Sequence, residues 1–303
     1  MRETAAFRLG RGAMQDARTR RHAFAEAASA LSAVGNETPE LDARLLLCHA
    51  AGLTPEAYIA WPDARLSEDA ASRFDAMIAR RLKGEPVSRI VDAREFYGRA
   101  FVVDAHTLDP RPDTETLIDA VLGTITREGR REEALRILDL GTGTGCILLT
   151  LLAELPHAQG VGSDISEDAL EIARRNAREI GVGDRASFVA GDWFGPIDGR
   201  FDIVVSNPPY IASAEIAGLP REVGYDPICA LDGGVDGLYA YRLIASGVAR
   251  VLNPRGLVFL EVGEAQGESV LGLLCSAGLE IEAGASVWAD LGERQRCVGA
   301  RLG

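Results

Sequence analysis

The chain has 303 residues, 47% hydrophobic and 25% charged, with a formal net charge of −13. This is long enough for one large domain and a smaller one, and the composition is that of an ordinary globular protein rather than a disordered or fibrous one. No run approaches the roughly 20 apolar residues of a membrane-spanning helix, Ile147 to Leu155 being the nearest, so a spanning segment is not expected.

The N-terminal stretch, Met1 to Arg21, is Arg-rich but lacks an apolar signal core. It reads as an extension ahead of the fold, and Glu3 and Asp16 argue against an organelle transit segment. The five cysteines, Cys48, Cys146, Cys229, Cys275 and Cys297, are scattered and form no Cys-x-x-Cys pair. A reduced, cytoplasmic setting fits that usage best. Residues 1–100 hold 15 Lys or Arg against 14 Asp or Glu, which leaves 17 against 31 in the rest. The acidity therefore lies in the second part, which repels a phosphate backbone and suits a basic protein partner.

Residues 1–90 read as a bundle of short helices. Thr38-Pro39-Glu40, Thr54-Pro55-Glu56 and Ser67-Glu68-Asp69 each set a capping hydroxyl before proline or acidic first-turn residues. Helical spacing predicts one apolar face from Leu41, Leu45 and Cys48 and another from Phe74, Ile78 and Leu82. Such a bundle builds its own small core and, as a whole, can serve as a partner-docking module. Lys83-Gly84-Glu85-Pro86 ends the last helix. Residues 91–110 then hold a hairpin, Glu95 to Tyr97 and Ala100 to Val103 around Gly98-Arg99, linking the bundle to a catalytic domain over 111–303.

From Arg136 strand and helix alternate. Strands are predicted at Arg136 to Leu140, Gly160 to Ser163, Ala186 to Val189, Phe201 to Val205, Leu257 to Val262 and Ile281 to Ser286. Helices are predicted at Cys146 to Glu154, Glu167 to Ile180 and Gly237 to Leu252. The alternation implies an α/β fold with a mostly parallel sheet covered by helices on both faces. Gln295 to Leu302 adds a closing strand paired with the one before it.

Asp139, Gly141, Thr142, Gly143, Thr144 and Gly145 lie between the first of these strands and its helix. Glycines there let the backbone approach a ligand and set the helix N-terminus beneath it. The Gly-x-Gly-x-Gly spacing departs from the dinucleotide Gly-x-Gly-x-x-Gly, which favours S-adenosylmethionine over a nicotinamide cofactor, another nucleotide or a plain tight turn. Asp164 follows the second strand, where an acid accepts hydrogen bonds from ribose hydroxyls. Asp192 and Trp193 follow the third, where the acid can bind an adenine amine and the indole can pack on the ring; the alternative for Trp193 is a place in the core.

Asn207, Pro208, Pro209 and Tyr210 follow the fourth strand and carry the catalytic expectation. An amide or aromatic amine donates its lone pair into a π system, so it is a poor nucleophile unless acceptors hold its NH2 group. The Asn207 side-chain oxygen and the Pro208 carbonyl can be those acceptors, successive prolines stiffen the loop, and Tyr210 supplies a flat wall. Asn207 counts with the cofactor residues as well. If the first and fourth strands are neighbours, the two loops face each other across one crevice at the carboxyl ends of the strands.

These segments resemble the HemK/PrmC family of peptide chain release factor glutamine N5-methyltransferases over nearly the whole chain. The matching stretches include Gly84 to Val87, Glu95 to Gly98, Pro110 to Glu115, Asp139 to Gly145, Ser206 to Ile211, Ala230 to Gly234, Asp236 to Leu238, Asn253 to Gly256, Glu261 to Gly263 with Gln266, and Asp290 to Gly292 with Arg294. The Pro110 to Glu115 stretch resembles the release-factor branch rather than related enzymes that act on a ribosomal protein. Arg255 stands where a second glycine is common, and Asp226 where a longer acid is frequent.

The resemblance implies a class I S-adenosylmethionine-dependent methyltransferase with a small helical domain in front, docking a release factor. It implies methyl transfer to the glutamine of a Gly-Gly-Gln motif, with S-adenosylhomocysteine as product and no metal. It further implies a cytoplasmic monomer that binds neither membrane nor nucleic acid directly. The competing readings are a ribosomal-protein glutamine methyltransferase, an adenine-N6 methyltransferase and a silent cofactor-binding subunit.

Overall fold

In the computed structural model, which describes residues 18–281 and 286–303, the hydroxyl caps start helices and the chain divides into two units, Met1–Val91 and Asp92–Gly303. The first unit holds α1 (Arg20–Ala33), α2 (Pro39–Ala51), α3 (Pro55–Ala60), α4 (Glu68–Arg81) and α5 (Val87–Val91). Thr19, Thr54 and Ser67 each accept a hydrogen bond from the backbone N–H three residues on, which satisfies one of the donors that a helix start leaves unpaired. Thr38 differs. Its hydroxyl donates to Asp42 at 3.0 Å, and Pro39 opens the helix without needing a donor. Residues 1–17 lie outside the described residues, but Arg20 and Arg21 already belong to α1, so the extension ends sooner than the sequence suggested.

The core of this unit is built by Ala23, Ala27 and Leu31, by Ala43, Leu46, Leu47 and Ala50, and by Phe74 and Ile78. The expected α2 face is corrected: Cys48 is buried, but Leu41 and Leu45 are exposed. The run Leu45-Leu46-Leu47-Cys48 offers an apolar stripe on either side, and α1 and α4 pack on the side that carries Leu46 and Leu47. Beneath α2 the Arg81 guanidinium donates to Asp42 at 2.6 Å, both side chains buried, and Asn36 donates to the same carboxylate. A buried carboxylate held this way keeps its charge compensated.

The second unit begins with the hairpin β1 (Ala93–Phe96) and β2 (Arg99–Val102) and continues with α6 (Glu115–Arg127). Then come β3 (Arg136–Leu140), α7 (Cys146–Glu154), β4 (Gln159–Asp164), α8 (Glu167–Ile180), β5 (Ala186–Ala190) and β6 (Phe201–Ser206). The remainder is α9 (Tyr239–Val251), β7 (Leu252–Glu261), α10 (Gly267–Ser276), β8 (Leu279–Glu280), β9 (Val287–Ala289) and β10 (Gln295–Leu302). The sheet order is β5-β4-β3-β6-β7-β10-β8, with β9 also on β10. β5, β4, β3, β6 and β7 run parallel, and β10 is antiparallel to β7.

Because side chains alternate across a strand, β3 and β6 feed two separate cores. Ile137, Ile203 and Val205 pack with α6 and α7 on one face, whereas Leu138, Leu140 and Val204 pack with α9 and α10 on the other. The chain leaves β3 towards β5 and returns to β6 beside β3, so strand order reverses between β3 and β6. Ligands of open α/β sheets bind at such a reversal, outside the carboxyl ends of the strands.

Three boundaries differ from the sequence reading. The last long helix starts at Tyr239, not Gly237, because Gly237 sits at φ 70° in a left-handed turn. The strand expected at Ile281 to Ser286 is flanked by β8 and β9, and its residues 282–285 lie outside the described residues. The closing strand β10 pairs, as expected, with the strands just before it, β8 and β9, and beyond that expectation also with β7.

β7 starts at Leu252 and runs through Arg255, which is left-handed at φ 62°. A Cβ in that region costs about 1–2 kcal/mol, partly offset by the greater freedom glycine has when unfolded. Arg255→Gly is expected to raise the unfolding free energy by up to ~1 kcal/mol, as read by urea denaturation.

Candidate active site

A cavity of about 350 Å³ opens at the carboxyl ends of β3, β4, β5 and β6. Its floor is the loop after β3. Gly141 and Gly143 stand at φ 70° and 54°, and a Cβ on either would meet no atom within 4 Å. Both glycines line the cavity, so the space a side chain would fill is left to a ligand, above the N-terminus of α7. Thr142 N donates to the Ser163 carbonyl at 2.9 Å and Thr142 Oγ1 to Asp139 Oδ2 at 2.6 Å, which tie the loop to β4 and β3.

Asp164, at the end of β4, accepts from Gly143 N at 2.9 Å and from Ser166 N at 3.0 Å. Each of its oxygens thus keeps a lone pair for the cavity it lines. Asp192 and half-buried Trp193 form the wall after β5. Trp193 is held at φ 44°, a backbone conformation that costs about 1–3 kcal/mol and clusters at ligand sites. Carboxylates, open glycines and a flat indole are the donor set that a ribose, a nucleobase and a cationic tail require, so these residues fit S-adenosylmethionine.

The facing wall comes from β6. Ser206 Oγ donates to the Leu140 carbonyl at 2.6 Å and locks the ends of β3 and β6 together. Asn207 follows, and its Nδ2 donates to Thr114 Oγ1 at 3.2 Å; with the nitrogen engaged there, Oδ1 is the atom left to accept. Asn207, Pro208, Pro209 and Thr114 all line the cavity. The end of the loop is pinned from behind by Gln266, whose Nε2 donates to the carbonyls of Tyr210 and Gly237 at 3.0 and 3.2 Å while Oε1 accepts from Gly263 N.

Among the sequence candidates Gly141, Thr142, Gly143, Thr144, Asp164, Asp192, Trp193, Asn207, Pro208 and Pro209 meet at this one cavity. Three do not line it. Asp139 is fully buried under the loop and supports it through Thr142. Gly145 packs on α7, where a Cβ would stand 2.9 Å from the Leu149 side chain. Tyr210 packs against the core on the α9 side of the sheet, so it does not provide the flat wall expected of it.

Missed residues come from the flanking segments. Thr114 lies in the turn ahead of α6, and Pro227, Cys229 and Ala230 lie in the segment between β6 and α9. Asp226 accepts from the Arg111 guanidinium and from Asp109 N, holding the segment against the chain that precedes α6. The shorter acid therefore has a structural task here.

Two carboxyls behind the cavity are displaced in the same direction. Burial pushes Asp139 from 3.8 up to about 7, opposed by the Thr142 hydroxyl. Burial likewise pushes Glu261, at the end of β7, from 4.5 up to about 7, opposed by the Thr114 hydroxyl and the Arg296 guanidinium. A carboxyl whose pKa is raised on folding keeps a proton that the unfolded chain releases. Its contribution to stability is full below the ordinary carboxyl range and is lost as pH rises through about 7.

Gly237 shows how tightly the acceptor loop is built. A Cβ there would collide with the Tyr210 carbonyl and the Gln266 amide, besides forcing a side chain into the left-handed region. Gly237→Ala is expected to lower the unfolding free energy by roughly 1–3 kcal/mol and to slow turnover. Denaturant titration beside initial-rate assays checks both.

The chain is similar to known proteins over most of its length. The model of the PrmC N-terminal domain matches residues 22–91, and a methyltransferase domain model matches residues 131–276. Release factor glutamine methyltransferase of Rhodospirillum rubrum is 47% identical over 275 residues, which cover 89% of this chain and 81% of that protein. The protein of the same name from Cereibacter sphaeroides is 46% identical over 273 residues, covering 90% and 94%. The hMettl16 catalytic domain, solved in complex with MAT2A 3'UTR hairpin 6, superposes with TM-score 0.52 at 16% identity over 77% of this chain and 82% of that one, a likeness of fold alone. The second unit is a class I S-adenosylmethionine-dependent methyltransferase fold with a mostly parallel sheet, and the identity extends through both units: the chain belongs to the release factor glutamine methyltransferase family.

Proposed function

We propose that this enzyme transfers the methyl group of S-adenosylmethionine to the side-chain amide nitrogen of the glutamine in the Gly-Gly-Gln loop of peptide chain release factors. The observation that carries this reading is the orientation of Asn207. Its own amide nitrogen is committed to Thr114, so Oδ1 is free to accept from an incoming NH2 group opposite the glycine loop. The cofactor, when bound, supplies a methyl already activated by its sulfonium.

The work left to the chain is placement. Asp164 and the glycine loop hold the cofactor side, Asn207 Oδ1 and the Pro208 carbonyl hold the two amide hydrogens, and the stiff Pro208-Pro209 backbone keeps both acceptors on one point. Transfer of that methyl to the nitrogen held by Asn207 and Pro208 would release S-adenosylhomocysteine, and the methylated nitrogen would give its extra proton to water. No metal and no general base is required. Asp164, Asp192 and Asp232 around the cavity support a protein acceptor over a phosphate backbone.

The helical unit is assigned the docking of the release factor, and the enzyme the cytoplasm in which release factors work. Incubation with labelled cofactor and a release factor, with and without its Gly-Gly-Gln glutamine replaced, tests the whole reading. Label lost on replacement is the expected result; label retained places the reaction on another residue.

A further inference from the structure

Resting on that reading, we infer that Gln266 is a positioning residue for the methyl transfer, acting through the Tyr210 carbonyl to hold Asn207 and Pro208 in line with the cofactor. Gln266 does not line the cavity. It stands behind the acceptor loop at the start of α10, where its N–H donates to the Gly263 carbonyl at 2.9 Å and its carbonyl accepts from Val270 N at 3.0 Å. From that root the side-chain amide joins three segments. Nε2 donates to the Tyr210 carbonyl after β6, at 3.0 Å, and to the Gly237 carbonyl ahead of α9, at 3.2 Å; Oε1 accepts from Gly263 N after β7, at 3.0 Å. Tyr241 Oη lies 3.5 Å from the same oxygen while donating to the Glu261 carbonyl at 2.9 Å.

The direction of this amide is forced. Turned end for end, it would set its oxygen against two carbonyls and its NH2 against an N–H. The junction asks for two protons on one branch and an acceptor on the other, which a carboxylate or a thioether of similar size does not supply. The packing around it is close: a Cβ on Gly237 would collide with the Tyr210 carbonyl and the Gln266 amide, and one on Gly263 would stand 2.9 Å from Gln266 Oε1. Glycine at both positions lets the three backbones meet on one side chain.

The acceptor loop depends on that junction because its middle cannot tie itself to the sheet. Pro208 and Pro209 have no N–H to donate. On one side the loop is held by Ser206 Oγ on the Leu140 carbonyl and by Asn207 Nδ2 on Thr114, and on the other by the Tyr210 carbonyl on Gln266. Beyond Tyr210, Ile211 N donates to the Leu231 carbonyl and Gly233 N to the Ile211 carbonyl, which joins the loop to the segment that Gln266 also anchors at Gly237. The two prolines are stiff, so a shift at Tyr210 is carried to the Pro208 carbonyl and to Asn207 Oδ1. A misplacement of about 1 Å at reacting atoms can cost about 10²-fold in rate. The cofactor side is built by other elements, the loop after β3, Asp164 and the wall after β5, so Gln266 acts on the acceptor.

The test is methylation of a release factor by Gln266→Met, assayed well below the thermal midpoint of the variant, with turnover counted per S-adenosylhomocysteine-binding site from calorimetry. The expected result is a kcat per site roughly 10- to 100-fold below the wild type. The cofactor Kd and the KM for the release factor should hold, the pattern of an interaction that counts only in the transition state. A role confined to stability would lower the midpoint and the number of binding sites, and leave kcat per site where it was.

Gln266→Glu keeps the side-chain volume and an acceptor for Gly263 N, but offers at most one proton to two carbonyls. It is expected to lose kcat as well, and it decides the matter should Gln266→Met fail to fold. A wild-type kcat per site in either folded variant, a cofactor Kd weakened as much as kcat falls, or loss of S-adenosylhomocysteine binding in both variants overturns the inference. A wild-type protein that labels no glutamine of a release factor overturns the functional reading instead.

Discussion

Asn207→Ala is expected to lower kcat by roughly 10²- to 10³-fold, the scale of one lost polar contact that stabilises a transition state, about 2.7–4 kcal/mol. The side chain does nothing for the nucleophile by charge. On the proposed reading it holds one amide hydrogen so that the lone pair of a weak nucleophile points at the methyl carbon. Thr114 engages the other end of the Asn207 amide, and Pro208 offers only its carbonyl, which on the proposed reading already holds the second amide hydrogen. Cofactor affinity should change little, since Asp164 and the glycine loop are untouched. Initial rates with a release factor, paired with calorimetry on S-adenosylhomocysteine, separate the two; a variant that methylates at the wild-type rate would sink the acceptor clamp.

The second large effect is the mirror image of the first. Asp164→Ala is expected to weaken S-adenosylhomocysteine binding by about 10- to 100-fold, as losing hydrogen bonds to a charged group costs about 1.5–3 kcal/mol. Asp164 has two tasks, holding Gly143 N and Ser166 N in place and offering its remaining lone pairs to the cavity. Its loss therefore removes ligand contacts and loosens the loop that carries Gly143. At saturating cofactor the turnover of the variant should recover much of the wild-type value, because Asn207, Pro208 and Thr114 are unaffected. An unchanged Kd would remove Asp164 from the cofactor site.

Much of the site is legible in the sequence because its parts are local. Gly141 to Gly145 and Asn207 to Tyr210 each follow an apolar strand, and the residue types suggest open backbone in the first and acceptor oxygens on a stiff backbone in the second. The neighbouring of β3 and β6, conditional in the sequence, is what the sheet supplies. The errors share one cause. Leu41, Leu45 and Tyr210 were assigned by spacing or adjacency, yet which side of a helix or loop is covered depends on elements far along the chain. In α2 the choice fell to Leu46 and Leu47 because α1 and α4 lie there, and Tyr210 packs against the core on the α9 side, its backbone carbonyl held by Gln266, 56 residues away.

The sequence by itself determined the fold class and the family: an acidic parallel-sheet domain with a glycine-rich loop after its first strand, an Asn-Pro-Pro-Tyr loop after its fourth, and a helical unit ahead of it in the chain. Tertiary structure alone decided what stands beside Asn207. Thr114, ahead of α6, lies 93 residues before Asn207, and no local pattern links the two. A hydrogen bond between residues so far apart forms only once packing has brought the turn ahead of α6 to the end of β6, because closing so long a loop costs entropy that a single contact cannot repay.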